Sequence, residues 1–272
     1  MPVDPAHFSR GACRLFPPLR GDRRLTVFLD AGHGGPDPGA VGVTSSGRAV
    51  AEARETLHVV IDAMALLRGD GFTVVVSRTG AGPVARPGPG DMSGHLFTAE
   101  GVRDDIGARD LCANRAHANV LVGVYYNSGV AGAAGCITAY DRARPFASAN
   151  LRLARLVQSA VLGAMNQRGW KIPDAGVASD TGVGSAVNAA DAAYGHLILL
   201  GPAKRGYFTT PSLMPGALIE PLFITDPFEA SIAASQRGQQ VIATALASAI
   251  EQYLAAPPSA QRTGSATQRG SA

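Results

Sequence analysis

Six short apolar runs recur along the chain: Leu25–Asp30, Phe72–Ser77, Val120–Tyr126, Gly135–Tyr140, His196–Leu200 and Ala217–Phe223. Runs this short and this rich in β-branched residues suit strands covered on both faces. Helical periodicity lies between them. Leu57, Val60 or Ile61, Met64 and Leu67 form one apolar stripe, ended by Gly69 and Gly71, and Ala154, Val157, Val161 and Met165 form a second. A more polar helix is expected over Val102 to His117. The last helix has an N-cap signature in Asp226, Pro227 and Glu229, after which Ile242, Leu246, Ala249, Ile250 and Tyr253 share a face. This alternation predicts an α/β fold: a single domain with a twisted, mostly parallel sheet of about six strands and helices on both faces. Gly135–Tyr140 and one neighbour are expected to run antiparallel.

With 46% hydrophobic and 17% charged residues, a chain of 272 can bury a sizeable core. Residues 1–23 show no period and are expected to form a disordered arm, residues 24–256 the domain, and residues 257–272 a disordered tail. Arg10, Arg14, Arg20, Arg23, Arg24, Arg262 and Arg269 outweigh Asp4 and Asp22 in these ends, so the middle of a chain of net charge +3 is mildly acidic. That balance argues against a dedicated nucleic-acid face. Cys13, Cys112 and Cys136 have neither C-x-x-C spacing nor an even count and are expected to be ordinary thiols. No apolar run is long enough to span a bilayer, and the N-terminus lacks a secretory leader pattern, so the residues alone offer no export signal and leave a cytoplasmic location open. Two long connections, 80–101 and 174–195, have the length of lids or binding walls.

Polar residues placed at the ends of apolar strands are the candidates for chemistry, because ligands of open parallel sheets bind beyond the strands' carboxyl ends. The first strand breaks into Ala31-Gly32-His33-Gly34-Gly35-Pro36-Asp37-Pro38-Gly39-Ala40, whose glycines permit positive φ and leave room around one imidazole. Glu52 opens the first helix, and Tyr125, Tyr126 and Asn127 end the third strand. Glu220 stands inside Ala217-Leu218-Ile219-Glu220-Pro221-Leu222-Phe223, where an ionised carboxylate costs several kcal/mol unless a metal, a proton or a partner compensates it. Phosphate binding by the glycine-rich turn is the weaker alternative, since no Gly-Lys-Ser/Thr follows and Pro36 and Pro38 remove donors.

The first motif, then Glu52, Arg109 with Ala113-Asn114, Gly123-Val124-Tyr125-Tyr126-Asn127, and the strand holding Glu220 resemble, in order and spacing, the zinc-dependent N-acetylmuramoyl-L-alanine amidases of the type 3 family. The resemblance runs from about Leu25 to Leu254. It implies a peptidoglycan hydrolase of the cell envelope or exterior that cleaves the amide between muramic acid and the L-alanine of the stem peptide. It also implies one Zn2+ held by His33, Glu52 and the residue at position 125, with Glu220 as the catalytic carboxylate and Asn127 and Arg109 as supports.

One departure stands out: Tyr125 occupies the place of the family's second histidine. Binding zinc as phenolate requires losing a proton whose reference pKa is about 10, whereas imidazole is already neutral at pH 7, a handicap on the order of 4 kcal/mol. Either Tyr125 serves as a weak metal ligand and hydrolysis persists, or the chain is a metal-poor relative that binds peptidoglycan or regulates a partner. Among histidines available to replace the ligand, His196 is the best placed, ahead of His58, His95 and His117.

Overall fold

The computed structural model describes residues 1–183 and 188–255. Its centre is a seven-stranded sheet in the order β1 (Ala12–Phe16), β5 (Thr73–Arg78), β2 (Thr26–Ala31), β8 (Val120–Val124), β11 (Gly216–Glu220), β9 (Cys136–Tyr140), β10 (Asp174–Ser179). The four middle strands β5, β2, β8 and β11 are parallel. As expected, β9 runs antiparallel to β11, and it pairs in parallel with β10. Two hairpins stand outside the sheet: β3 (Val41–Val43) with β4 (Ala49–Ala51), and β6 (Met92–Ser93) with β7 (Leu96–Phe97), the latter within the long connection 80–101.

Side chains alternate between the two faces of each strand. Val27, Leu29 and Ala31 of β2 and Ala217 and Ile219 of β11 pack with α1 (Glu52–Gly69), α3 (Ala147–Gln167) and α6 (Gln236–Ala255). Phe28 and Leu218 point the other way, towards α2 (Ala99–Arg115) and the segment around Leu197–Leu200. By the same alternation Asp30 and Glu220 lie on the α2 side, where Asp30 meets Arg109 of α2.

Four expectations require correction. Residues 12–16 are not part of a loose arm: they form β1, antiparallel on the edge of β5, with its own Cys13 and the preceding Phe8 buried. Cys13 and Cys112 are not ordinary thiols but a disulfide between β1 and α2, bridging 99 positions in sequence; only Cys136 is free, and it is buried. His196–Leu200 is a turn and not a strand. Gly201 N–H donates to Leu197 O at 2.8 Å, and the leucines are buried as a cover over the sheet. Short apolar runs do not by themselves separate strands from other buried segments. The final helix is two helices. Asp226 caps α5 (Pro227–Ala233), accepting from Glu229 N–H at 2.8 Å, and Ser235 Oγ then accepts from Gly238 N–H at 2.9 Å and starts α6.

The long connection 174–195 holds β10, a 3₁₀ turn at Asp180–Gly182 and α4 (Ala189–Tyr194). Gly184 within it, and the tail 257–272, lie outside the described residues.

Candidate active site

The turn after β2 is held open by backbone geometry. His33 has φ +60° and Gly39 has φ +66°; a Cβ on Gly39 would come 2.7 Å from the His33 ring and 2.8 Å from the Glu52 side chain. Only glycine permits that approach. His33 is thereby gripped at both ring nitrogens, Nδ1 by Asp37 Oδ2 at 2.8 Å and Nε2 by Glu52 Oε1 at 2.9 Å. Burial alone would lower its pKa, but Glu52 and Asp37 outweigh burial and raise it to about 10.

Glu52 is the first residue of α1, where the helix dipole favours a negative charge. Its two oxygens also accept from the backbone, Oε1 from Tyr126 N–H at 2.8 Å and Oε2 from Ala40 N–H at 3.0 Å. Glu220, 3% exposed, ends β11, and its Oε2 has no hydrogen-bond partner. Burial, with Glu52 adding and His33 opposing, pushes its carboxyl up to about 8. His33, Glu52 and Glu220, remote in sequence, line one cavity of about 260 Å³ together with Tyr125, Asp37 and Asp191.

Tyr125 does not offer its oxygen to this cavity's donors. Its hydroxyl donates to Asp30 Oδ2 at 2.9 Å, and its ring stands edge-on to His33 with centroids 5.3 Å apart. Burial and the Asp30 charge hold the phenol well above its usual pKa, so ionisation to a ligand is opposed by the surroundings. The metal-ligand role expected for Tyr125 therefore has no geometric support.

Arg109, fully buried, is a positioning residue. It donates to Asp30 Oδ1 at 2.6 Å, Asp105 Oδ2 at 2.6 Å, Ala31 O at 2.7 Å and His33 O at 2.8 Å, tying β2 and the histidine turn to α2. Asn127 braces its own turn, with Oδ1 accepting from Ser128 N–H at 2.7 Å, and does not line the cavity. None of the other histidines replaces a ligand: His58 faces Gln239, and His196 pairs with Asp141 and Asp180.

Three residues of this region escaped notice in the sequence. Asp30 is a carboxylate inside an apolar strand, the signal that singled out Glu220. Arg78, ending β5, donates to Ala31 O at 3.1 Å and Gly32 O at 2.8 Å beneath the same turn. Asp191 of α4 reaches the cavity from the opposite wall, where burial raises its carboxyl to about 7 while the N–H groups of Ile198 and Asn188 oppose.

Among the described residues, a metal has two well-placed protein donors here. His33 Nε2 and Glu52 Oε1 arise from separate elements and meet at the spacing of neighbouring ligands, and the unpartnered Glu220 oxygen lies in the same cavity. This donor chemistry, an imidazole with a carboxylate, fits Zn2+.

The family model described as N-acetylmuramoyl-L-alanine amidase (Amidase_3) matches residues 27–252. The chain belongs to this family. It is 28% identical over 228 residues to the uncharacterized protein YqiI of Bacillus subtilis, covering 84% of each chain. Among solved structures, it resembles the amidase AmiC2 of Nostoc punctiforme (22% identity, TM-score 0.60), covering 87% of this chain and all of that one. It also resembles the CwlD amidase of Clostridioides difficile, solved with the GerS lipoprotein (19% identity, TM-score 0.63, 85% and 98% covered). At these identities the structures support the family's fold, a central sheet flanked by helices, and the fold described above agrees. No described helix is long and apolar enough to cross a membrane.

Proposed function

We propose that this chain hydrolyses the amide between N-acetylmuramic acid and the L-alanine of the stem peptide in peptidoglycan. The observation that carries the reading is the unpartnered, buried oxygen of Glu220 in the cavity that also holds the His33–Glu52 pair. Family membership supplies the substrate class.

His33 Nε2 and Glu52 would hold a zinc ion, which when bound supplies Lewis acidity that acidifies water and polarises a carbonyl. Glu220 takes the proton of the attacking water and returns it to the departing alanine nitrogen as the C–N bond breaks, leaving a free lactyl carboxylate. Its burial keeps proton affinity near the working pH, as a proton carrier requires. Arg109 and Arg78 hold the turn that carries His33 by its carbonyls. Tyr125 remains a neutral phenol bonded to Asp30.

The disulfide supports a location outside the reducing cytoplasm, where such bonds persist and where peptidoglycan lies. The test is digestion of purified sacculi by zinc-loaded protein, with mass spectrometry of the soluble fraction. Free stem peptides beginning at L-alanine are expected, and their loss in Glu220→Gln. The Tyr125–Asp30 bond favours a second reading, a family member that binds the wall without cutting it; retention on sacculi with no released peptide would be its result.

A further inference from the structure

A second cluster of ligating atoms lies outside the cavity just described. Asp141 follows β9 and Asp180 follows β10; because these strands are parallel, both carboxylates emerge at the same end of the sheet. His196, in the turn after α4, closes on them, its Nδ1 2.9 Å from Asp141 Oδ2 and 3.0 Å from Asp180 Oδ2. Both aspartate side chains are 0% exposed, and that of His196 is 25% exposed. The three ligand atoms all lie within 4.8 Å of one another, close enough to share one ion.

The protons do not suffice for these acceptors. One ring nitrogen carries at most one hydrogen and can donate to one carboxylate at a time. Asp141 Oδ1 accepts from the backbone N–H groups of Ala143 and Arg144, which aims Oδ2 into the cluster, where it has no hydrogen-bond partner. The neighbouring cation, Arg144, directs its guanidinium to the carbonyls of Gly201 and Ser212. Burial and the charge of Asp141 raise the pKa of Asp180, as expected of two carboxylates sharing one desolvated space.

We propose that Asp141 Oδ2, Asp180 Oδ2 and His196 Nδ1 bind one first-row divalent cation, Zn2+ or Mn2+, at a site separate from His33 and Glu52. Edges of 2.9 and 3.0 Å between ligand atoms suit metal–ligand bonds of about 2.0–2.2 Å. One imidazole with two carboxylates suits zinc or manganese, whereas calcium takes roughly six to eight oxygens. The partial exposure of His196 leaves an approach for solvent. Asp180 Oδ2 also accepts from Leu197 N–H at 3.1 Å, and Leu197, Ile198 and Leu199 form a wall of the active-site cavity. A cation here pins that wall to the ends of β9 and β10. The inference stands on these three residues and is independent of the amidase activity.

Equilibrium dialysis of the chelator-treated full chain against ZnCl2 or MnCl2 tests it. A variant carrying His33→Ala and Glu52→Gln is expected to retain one equivalent of metal, and His196→Ala in that background to lose it. In the His33→Ala/Glu52→Gln variant, which keeps His196, the imidazole 15N signal of His196 Nδ1 should shift on addition of Zn2+. An unmoved His196 signal, or no metal retained when His33 and Glu52 are replaced, overturns the site even if His196→Ala fails to fold. Loss of wall hydrolysis alone would leave both readouts untouched, so the two readings fail separately.

Discussion

Tyr125 lies in a slot between two glycines and donates its hydroxyl hydrogen to Asp30 Oδ2 across 2.9 Å. A Cβ on Gly32 would fall 2.6 Å from the ring, and one on Gly123 would fall 3.3 Å from it. The aspartate's other oxygen takes Arg109, so the phenol belongs to a buried network with Asp30 and Arg109. If that network is the tyrosine's whole role, Tyr125→Phe leaves zinc affinity unchanged and costs about 1–3 kcal/mol of stability, the penalty for depriving a buried acceptor of its donor. Tyr125→His tightens zinc binding. Calorimetric titration with Zn2+ decides, and a loss of affinity in Tyr125→Phe would make the phenol a ligand after all.

Glu220 offers a pH signature in metal-free protein. Its folded pKa, about 8, exceeds the unfolded value of 4.5, so the folded state holds more protons between those values and stability falls as pH rises through that window. Glu220→Gln removes this dependence. The variant should melt higher than the parent at pH 8, by a difference on the order of a few kcal/mol, and no higher at pH 4. Parallel melting curves across the range would sink the assignment of Glu220 as a carboxyl perturbed by burial.

Gly39 reports on the closeness of His33 to Glu52. In Gly39→Ala the new methyl must displace one of them, and the positive φ adds strain of about 1 kcal/mol. Zinc affinity is expected to fall by about 10- to 100-fold while the fold survives, as for other losses of ligand orientation. Titration together with far-ultraviolet circular dichroism separates the two effects.

The disulfide fastens β1 to the body of the domain. Cys13→Ser, or reduction, should lower stability by about 2–5 kcal/mol and expose the segment before β2 to proteolysis. Denaturant unfolding with and without reductant measures the first, and limited digestion the second. Equal stability in both conditions would mean that the bond does not constrain the chain in solution.

Local pattern was enough for β2, β5, β8, β9 and β11, because strands buried on both faces must be short, apolar and β-branched. It was also enough for the cap at Asp226, whose signal lies within four residues. It failed where a neighbour in space decides. His196–Leu200 has a strand's composition, but its leucines cover the sheet without joining it. β10 is half-exposed and lacks an apolar run, so its sequence carries a loop's pattern. The break between α5 and α6 did have a local signal, Ser235 ahead of Gly238, overlooked because the apolar face continues beyond it.

By itself the sequence determined the layered α/β plan and pointed to His33, Glu52 and Glu220, which the fold brings to one cavity, because periodicity and short motifs at strand ends carry both. Tertiary structure alone decided that Cys13 meets Cys112, that the Tyr125 hydroxyl turns to Asp30, and that Asp141, Asp180 and His196 converge. Each of these depends on which strands lie side by side and which face a side chain takes there. Strand pairing across many tens of residues sets those neighbours, and no local run of residues encodes it.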